Sequence, residues 1–486
     1  MTFKELLNVI IQRGSLSLTQ MKKNALFTSI GVCELKLYTN KLSNFLLNYA
    51  KNKSSMKVLT LCENGVEWNI IDLGIMQAGF VHVPIVPSID HEKISLIIEK
   101  VRPNLIITSS KVIFQFIKTF CGSTPIFLLE EIFESQNNIE LNDKEIKDEQ
   151  LASIFTTSGS SGNLKGVLHN HKFIIDNAIE AANFYQFKPH HKSLSILPIQ
   201  YAFERMYNYI FMYSGMHIHY ANPFESLLSN VLYAKADVIC IVPALLEQIL
   251  EDSSNDSQEF DDYIQTVNPT FICSGAPIHK TLSSKILEKN LKIHEMYGST
   301  ETLIVSGNTE SDFRENTSGK IIDPRRVKIN SGVLEVKTDM MGYFEGFKQS
   351  NNFQNGWIRT DDLATISHEF LIIKGRANHM IKNSFGVFLN LEELENNLKS
   401  HLELSRLVIF EENGALNCIV EAENHKFSYV VNKLKKYNLK QKDGEKIYKF
   451  AVSSSWSPES GELTSSFKII RKEIIHKYKK QLKLLS

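Results

Sequence analysis

A cluster of small, hydroxyl-bearing and cationic residues is the first stretch of the chain that could do chemistry. It spans 156–166 with the sequence TTSGSSGNLKG and follows an apolar run that predicts a strand. Small residues let the backbone approach a ligand closely, and successive N–H groups in such a loop form a concavity that binds anions. The hydroxyls add donors and Lys165 adds positive charge, so the loop suits a nucleoside triphosphate. A Gly/Ser linker is the alternative, but the apolar pair Val167-Leu168 directly after the loop favours a phosphate site.

This loop differs from two better-known glycine-rich motifs. A Walker A loop places its lysine directly after a glycine and follows it with serine or threonine. Here Lys165 lies three residues after Gly162 and precedes Gly166. The loop also lacks the G-x-S-x-G spacing of a nucleophile elbow.

A second candidate, Tyr297-Gly298-Ser299-Thr300-Glu301, lies further along the chain. Its tyrosine offers an aromatic face for a purine, its glycine allows a tight turn, and its threonine supplies a hydroxyl. The carboxylate of Glu301 is a hard oxygen ligand suited to Mg²⁺. In isolation, the pentapeptide could equally be a turn that caps a helix.

The elements that must position these motifs alternate between strands and helices. Short apolar, β-branched runs such as Lys57–Leu61 and Thr270–Cys273 predict buried strands, and Val66–Gln77 predicts a helix between two of them. Such alternation indicates α/β architecture with substantial parallel sheet. After about residue 320 the pattern changes to antiparallel strands and turns, and we place a domain boundary near Lys374. The last segment, Ile469–Leu485, predicts a basic helix.

The composition bounds the class of protein. The chain has 486 residues, 43% hydrophobic and 22% charged, with 54 basic and 54 acidic side chains, which is typical of a globular protein of about two to four domains. A net charge of zero argues against a protein that coats nucleic acid. The six cysteines form no CxxC pair. No run approaches ~18 apolar residues, so no membrane span is expected, and we expect a cytoplasmic protein.

The serine-rich loop resembles the signature T-S-G-T-T-G-x-P-K-G of the adenylate-forming (AMP-binding) superfamily. Ser160 and Ser161 replace its threonines, and Leu164 replaces its proline. This superfamily includes acyl-CoA synthetases, aryl-CoA ligases, luciferases and peptide-synthetase adenylation domains. The resemblance implies ATP and Mg²⁺ as ligands. It assigns phosphate binding to residues of the loop, namely Thr157, Ser158, Gly159, Ser160, Ser161, Gly162 and Lys165.

Two further motifs resemble nucleotide-binding segments of the same superfamily. Tyr297–Glu301 resembles Y-G-x-T-E, which implies that Tyr297 stacks on adenine beside Gly298, that Thr300 contacts the α-phosphate, and that Glu301 holds the metal together with Thr157. Gly275-Ala276-Pro277 resembles the loop that lines the adenine pocket.

Gly356–Asp362 resembles G-W-x-x-T-G-D, with Asp361 in place of the glycine and Asp362 positioned to bind the ribose hydroxyls. Gly375–Lys382 resembles G-R-x-K-D-x-I-K, which implies that Arg376 binds ribose or α-phosphate and that Asn378 is the hinge between domains. Gly386 then belongs to a loop that lines the pantetheine tunnel of acyl-CoA synthetases.

Leu463–Lys468, with Arg471, resembles L-T-P-T-x-K-x-x-R, and Lys468 matches the catalytic lysine. Its compact charge can neutralise both a carboxylate oxygen and the α-phosphate as they meet. The resemblance thus names Lys468, Thr157, Glu301 and Arg376 as catalytic.

Leu197–Arg205 resembles the L-P-x-x-H-x-F-E-R stretch of long-chain fatty acyl-CoA synthetases, with Tyr201 in place of histidine. The resemblance implies a large N-terminal domain of mixed sheets and packed helices with a small β-rich subdomain (1–374). A smaller, mobile α+β lid domain would follow (375–486). The implied activity is ATP-dependent synthesis of acyl-CoA from a carboxylic acid, with a fatty acid as the expected substrate and CoA as co-substrate.

Two alternatives remain open at this stage. The acyl-AMP could be passed to an acyl carrier protein instead of CoA. The chain could also be a binding protein on a catalytically decayed fold, although Lys468, Glu301 and Asp362 are all retained. Of other partners, we expect no nucleic acid, and at most peripheral membrane contact through the basic C-terminal helix.

Overall fold

The computed structural model describes residues 3–20, 26–51, 53, 55–87, 91–135, 145–158, 164–221, 225–253, 257–345, 352–382, 388–404, 406–422, 426–458, 460–464 and 467–485. Its helices are α1 (Phe3–Arg13), α2 (Val32–Ala50), α3 (Val66–Gln77), α4 (His91–Val101), α5 (Lys111–Lys118), α6 (Leu129–Ser135), α7 (His171–Tyr185), α8 (Ala202–Ser214), α9 (Leu227–Ala234), α10 (Pro243–Ser253), α11 (Ser257–Val267), α12 (Lys280–Glu288), α13 (Leu391–Leu402), α14 (Phe427–Asn438) and α15 (Arg471–Tyr478).

Its strands are β1 (Ser17–Gln20), β2 (Ser29–Gly31), β3 (Lys57–Leu61), β4 (Val81–Ile85), β5 (Leu105–Thr108), β6 (Ile126–Leu128), β7 (Leu151–Ser158), β8 (Leu164–Asn170), β9 (Lys192–Ser195), β10 (His217–Tyr220), β11 (Val238–Ile241), β12 (Thr270–Cys273), β13 (Lys292–Ser299), β14 (Leu303–Gly307), β15 (Lys320–Ile321), β16 (Val327–Asn330), β17 (Val333–Lys337), β18 (Gly342–Tyr343), β19 (Phe353–Gln354), β20 (Trp357–Ser367), β21 (Phe370–Arg376), β22 (Met380–Lys382), β23 (Phe388–Asn390), β24 (Leu407–Glu412), β25 (Ala415–Glu421), β26 (Ile447–Ser453) and β27 (Lys483–Leu484).

The first sheet has seven strands in the order β18-β8-β7-β4-β3-β5-β6. Strands β7, β4, β3, β5 and β6 run parallel, whereas β8 folds back on β7 as an antiparallel hairpin. The strands β3, β4 and β5 are buried almost throughout, which explains why their sequences are continuous apolar runs without alternation. The helix α3, predicted with the same bounds, is buried at all its positions and packs beside this sheet.

The second sheet has fourteen strands and changes character along its length. From β13 through β12, β11, β9 and β10 to β1 the neighbours are parallel. From β14 onward, β15, β21, β20, β17 and β16 pair antiparallel and form the β-rich part that the sequence predicted. The predicted parallel sheet and the predicted antiparallel, β-rich part are therefore both confirmed.

The C-terminal part has its own sheet, in the order β24-β25-β26-β27, and its own apolar core beneath α13 and α14. The predicted helix over Ile469–Leu485 was wrong in its extent. Helix α15 ends at Tyr478, a 3₁₀ turn follows, and Lys483–Leu484 pairs with β26 at the sheet edge. Backbone pairing, with Leu485 N–H donating to Tyr448 O, replaces the helical bonds that the periodicity predicted.

An ion pair lies in the centre of the first core. The guanidinium of Arg205 on α8 is 2.6 Å from Asp72 Oδ1 on α3, and both side chains are fully buried. Arg205 also donates to Ser153 Oγ at 2.9 Å, and His82 Nδ1 lies 2.6 Å from the same Asp72 oxygen. Burial opposes ionisation of Asp72, but Arg205 and the hydrogen bonds from His82 and Tyr209 outweigh it and lower the pKa of Asp72. The network ties helices α3 and α8 to strands β4 and β7.

We expect Asp72→Asn and Arg205→Met each to lower the free energy of unfolding by about 3–5 kcal/mol, because each leaves one buried charge without its partner. The double variant should lose clearly less than the sum, since no unpaired charge remains. Urea unfolding followed by the fluorescence of the buried Trp68, over whose ring Arg205 lies, measures this. The exposed pair Lys172–Asp176 is the control, and breaking it should cost less than about 1 kcal/mol. Strictly additive losses would contradict this account.

Candidate functional site

The hairpin of β7 and β8 carries the candidate phosphate loop at its tip. Thr157 pairs with Lys165 and Ser158 with Leu164, so the two ends of the loop are held side by side. Gly159, Ser160, Ser161 and Gly162 lie outside the described residues, as do the side chains of Thr157 and Ser158. The base of the loop is therefore placed, and the predicted phosphate contacts of its tip stay predictions.

Tyr343 joins the loop base to the Tyr297–Glu301 motif. Strand β18, which contains Tyr343, pairs with β8. The Lys165 ammonium lies 5.9 Å from the centre of the Tyr343 ring, and the Tyr343 hydroxyl is 3.3 Å from Glu301 Oε1. On the other side of the same turn, His169 Nε2 of β8 is 2.7 Å from the carbonyl oxygen of Thr300. The structure thus brings together two motifs that are about 130 residues apart in sequence.

The turn itself requires glycine at one position. A Cβ on Gly298 would lie 2.3 Å from the carbonyl oxygen of Leu303, a contact that backbone cannot relieve cheaply. The neighbouring Thr338 hydroxyl donates to the Glu301 carbonyl at 2.7 Å. The turn after β13 is therefore fixed by backbone contacts, and the carboxylate of Glu301 projects from a held position.

Asp362, the predicted ribose ligand, is at the centre of a hydrogen-bonded cluster. Tyr297 donates its hydroxyl hydrogen to Asp362 Oδ2 at 2.5 Å, and Arg376 Nε is 3.1 Å from Oδ1. Asp362 on β20 stands directly opposite Arg376 on β21 in the antiparallel register. Burial raises the pKa of Asp362, while Arg376 and Tyr297 lower it in part. Asp361 takes a φ of +63°, the left-handed conformation for which the related motif uses glycine and which aspartate tolerates better than most residues.

A tight turn presents Lys468. The Lys468 N–H donates to Thr464 Oγ1 at 3.0 Å, and Thr464 N–H donates to the Lys468 carbonyl at 2.8 Å. Between them, Phe467 adopts a left-handed φ of +59°. Its side chain packs against the apolar core of α9, α10 and α12 and also against the core of the C-terminal sheet. Phe467 thus anchors the lysine turn to both parts of the molecule.

Lys468 reaches the predicted adenine-pocket loop. A Cβ on Gly275 would lie 3.1 Å from Lys468 Cε, so a larger residue here would crowd the lysine stem. The Lys468 side chain is accessible to solvent through the cleft. Even so, desolvation by the surrounding protein lowers the pKa of Lys468, and the Arg376 cation lowers it further. Asp362 and Glu301 act in the opposite direction. Four predicted site residues therefore share one electrostatic environment.

A pocket of about 170 Å³ opens beside Lys468. Gly275, Gly298, Thr300 and Lys468, all predicted from motifs, line it. Its remaining wall comes from α8 and the segment before it, from the residue after β11, and from β13 and β14. It includes Leu197, Tyr201, Ala202, Phe203, Glu204, Val242, Met296, Leu303 and Ile304. Ala276 and Pro277 follow Gly275 in an exposed segment and are not among the lining residues.

The segment predicted as the hinge follows Arg376. A short 3₁₀ turn covers Ala377–His379, and the side chain of Asn378 lies outside the described part. His379 Nδ1 is 2.6 Å from Glu392 Oε1 at the start of α13. A Cβ on Gly375 would come within 2.8 Å of Asn390 Nδ2, whose own oxygen caps α13. The chain is thus closely packed against the start of α13 where it enters the C-terminal part. The predicted Gly386 loop lies outside the described residues.

Several contacts have no counterpart in the motif analysis. Tyr343 belongs to no predicted motif, and its sequence signal is only an aromatic residue in a short segment rich in methionine, glycine and phenylalanine. Phe467 occupies a variable position of the lysine motif. It packs against two separate apolar cores, and the sequence does not show that these cores lie next to each other. Glu204 lies within a predicted stretch, but the sequence gives no indication that it lines the pocket.

These elements define a class: a nucleotide-binding enzyme whose cleft is completed by a C-terminal lysine. The chain belongs to the family of AMP-binding enzymes, whose model matches residues 25–336. The predicted resemblance to the adenylate-forming superfamily is confirmed. In the described residues, no helix is both long and apolar enough to cross a membrane.

Several of its curated relatives are CoA ligases. The chain is 23% identical over 417 residues to 4-coumarate–CoA ligase-like 2 of Arabidopsis thaliana, covering 76% of this chain and 73% of that protein. It is 20% identical over 522 residues to the long-chain-fatty-acid–CoA ligase FadD15 of Mycobacterium bovis, covering 87% and 86%.

Solved structures share the fold along nearly the whole chain. ATP-bound MatB from Rhodopseudomonas palustris superposes with a TM-score of 0.82 at 16% identity, covering 99% of each chain. The anthranilate CoA ligase AuaEII with anthranoyl-AMP gives a TM-score of 0.81 at 16% identity, covering 99% and 98%. The predicted fold class, with two domains, is confirmed.

Two buried histidines next to the site should make the protein sensitive to acid. Burial lowers the pKa of His169 and of His171 to about 4 each, against an ordinary value near ~6.5. Between these values the unfolded chain binds more protons than the folded one, so stability is complete above about pH 6.5 and is lost as the pH falls toward about 4. The expected loss is about 3 kcal/mol for each histidine.

Urea unfolding at a series of pH values tests this, with His171→Leu as the variant. Removing one such histidine should reduce the acid-dependent loss, whereas substituting the exposed His368 with alanine should not. An unchanged pH profile in His171→Leu would show that its protonation does not limit stability.

Proposed function

We propose that this protein is an ATP-dependent acyl-CoA synthetase. It joins a carboxylic acid to AMP, releases pyrophosphate, and transfers the acyl group to the thiol of CoA. The observation that carries the proposal is the position of Lys468, which lines one pocket with Thr300 and Gly275 and lies in the field of Asp362, Arg376 and Glu301.

The first half-reaction needs charge neutralisation and alignment more than covalent help from the protein. A carboxylate oxygen attacks the α-phosphorus of ATP, a new oxygen–phosphorus bond forms, and the bond to pyrophosphate breaks. We assign Lys468 to the negative charge that builds up between the carboxylate and the α-phosphate. Arg376 and Asp362 hold the ribose and its phosphate, and Tyr297 provides the face for adenine.

Magnesium fits the donor set around Glu301. Mg²⁺ is usually held by one or two carboxylates together with substrate phosphates rather than by a complete protein cage. Within the described ranges no group of three or more His, Cys, Asp and Glu side chains forms such a cage. Glu301, held at its backbone by Thr338, would be the carboxylate ligand, and the family resemblance assigns Thr157 as its partner in holding the metal. Bound Mg²⁺ would neutralise phosphate charge.

In the second half-reaction the thiolate attacks the carbonyl carbon of the acyl-AMP, a carbon–sulfur bond forms, and AMP leaves with the oxygen. We propose that residues 375–486 form the mobile domain and rotate about Asn378. This rotation withdraws Lys468 and brings the Gly386 loop toward the thiol. We favour CoA as the acceptor because several of the relatives are named CoA ligases.

Of the acids, we propose a fatty acid, in line with the Leu197–Arg205 stretch and with one relative's printed name. The pocket volume of about 170 Å³ favours a compact chain, because ligand pockets commonly measure roughly 300–1,000 Å³. A cytoplasmic location stays a prediction.

Lys468→Ala should lower acid-dependent ATP–pyrophosphate exchange by roughly 10²–10³, the size of effect seen when a single charge-stabilising donor is removed. Lys472→Ala, in the same C-terminal segment but outside the pocket, is the matched control and should keep full exchange. Near-normal exchange in Lys468→Ala would remove this lysine from the adenylation step.

The acceptor thiol can be identified directly. With purified protein, ATP and an accepted acid, we expect thioester to accumulate with CoA and not with a phosphopantetheinylated acyl carrier protein, as measured by mass spectrometry. Thioester on the carrier protein alone would establish the alternative acceptor. Exchange at background with every acid would instead favour a decayed binding protein.

A further inference from the structure

Strand β8 carries a buried histidine to which the steps above assign no role. His169 is fully buried, and its ring centre lies 5.0 Å from that of Phe155 and 5.4 Å from that of Phe173. An apolar side chain would fill such a slot without the cost of burying ring nitrogens. Among the described residues, the Nδ1 atom of His169 has no hydrogen-bond partner, so packing alone does not account for an imidazole at this position.

The other ring nitrogen of His169 reaches the turn that carries Thr300 and Glu301. Its Nε2 atom lies 2.7 Å from the Thr300 carbonyl oxygen. Because a carbonyl oxygen only accepts, Nε2 carries the hydrogen and Nδ1 carries the lone pair. Burial lowers the pKa of His169 to about 4, so at neutral pH the ring donates this hydrogen bond without placing a charge in the core.

Two further side chains hold the same turn from elsewhere in the chain. The Thr338 hydroxyl donates to the Glu301 carbonyl at 2.7 Å. The guanidinium of Arg326 donates to the Thr302 carbonyl at 3.4 Å. Three consecutive carbonyls, beginning with that of Thr300, are thus bound by side chains from three different segments. Of these three donors, the histidine is the one that lies on the hairpin with the candidate phosphate loop.

The hairpin sets the distance between the two halves of the site. Lys165, at the base of the loop, and His169 are four residues apart on β8, so their side chains share one face of the strand. The pairing of β7 with β8 is regular over this stretch, and the strand rises about 13 Å from one residue to the other. Because a paired strand keeps such a spacing, the hydrogen bond from His169 ties the turn to a fixed point below the loop.

We propose that His169 is a positioning residue for adenylation: its hydrogen bond to Thr300 fixes the Thr300–Glu301 turn relative to the candidate phosphate loop. ATP would be held at both places, by its β- and γ-phosphates at the loop and by its α-phosphate at the turn. An error of about 1 Å in the relative position of reacting groups can cost roughly 10²-fold in rate. This inference rests on the proposed acyl-CoA synthetase activity and adds a residue outside the motifs that support that proposal.

The two half-reactions should respond differently to loss of this hydrogen bond. ATP–pyrophosphate exchange needs the β- and γ-phosphates, whereas the conversion of acyl-AMP and CoA to the thioester does not. The probe is the fatty acid, from butanoate to palmitate, that the wild type activates fastest. His169→Leu should lower kcat/KM for ATP in exchange by about 10–10²-fold. Thioester formation from the synthetic acyl-AMP of the same acid should stay within about threefold of the wild type.

Three further variants separate the hydrogen bond from the packing. His169→Gln places an amide donor near the position of Nε2 and should bring exchange to within about fivefold of the wild type. His169→Asn is one carbon shorter, holds its amide short of the Thr300 carbonyl, and should resemble His169→Leu. His171→Leu is the matched control. His171 is also fully buried, and among the described residues neither of its ring nitrogens has a hydrogen-bond partner, so its loss should leave exchange unchanged.

The outcomes separate this inference from the function on which it rests. If no acid supports exchange in the wild type, the proposed function fails. If a folded His169→Leu, checked by thermal melting, keeps normal exchange or loses both half-reactions equally, the synthetase stands and the positioning role of His169 is overturned. If His169→Leu does not fold, the glutamine and asparagine variants decide, and equal exchange in these two would likewise overturn the role.

Discussion

The electrostatics of one cleft constrain the rest of the molecule. Burial lowers the pKa of Lys468, the nearby Arg376 cation lowers it further, and Asp362 and Glu301 act against this. Placing such cations together in a crowded cleft is unfavourable unless an anion joins them. A nucleoside triphosphate, with its several negative charges, is the kind of ligand that would turn this repulsion into attraction. The carboxylates of Asp362 and Glu301 offset part of this repulsion, and a bound polyanion would offset more of it.

The buried network around Arg205 supplies the rigidity that such a cleft needs. It fixes helix α8 against α3, β4 and β7, and the same helix forms one wall of the pocket. Two consecutive residues of α8 face different surroundings: Arg205 points into the core, and Glu204 lines the pocket. Because the two side chains are adjacent on one helix, the buried ion pair also fixes the position of this pocket wall. The stability of the core and the shape of the pocket thus depend on the same turn of helix.

Much of the fold could be predicted from the sequence, and so could several residues that the structure brings around one pocket, because both depend on local patterns. Buried parallel strands produce continuous apolar runs, and the motifs that resemble nucleotide-binding segments are contiguous. The predicted helix Val66–Gln77 even has the same bounds in the structure. Contacts between distant segments left no such signal. Tyr343 bridges Lys165 and Glu301 only after β18 has paired with β8, and the Ile469–Leu485 helix was shortened by a strand pairing that periodicity cannot reveal.

The turn that presents Lys468 also bears on the proposed domain rotation. Phe467 packs against a core on each side of the cleft, so withdrawing Lys468 would separate this ring from the α9–α10–α12 core. Complete burial of a phenylalanine contributes about 1.5–3 kcal/mol, and Phe467 is only half-buried, so the contact contributes roughly 1 kcal/mol. A contact of this size is weak enough to be broken when the cleft loses a bound polyanion. Departure of pyrophosphate would remove most of the negative charge from the cleft, and the charge that builds up between the carboxylate and the α-phosphate would be gone once the acyl-AMP has formed. The weak aromatic contact alone would then not keep the lysine turn in place.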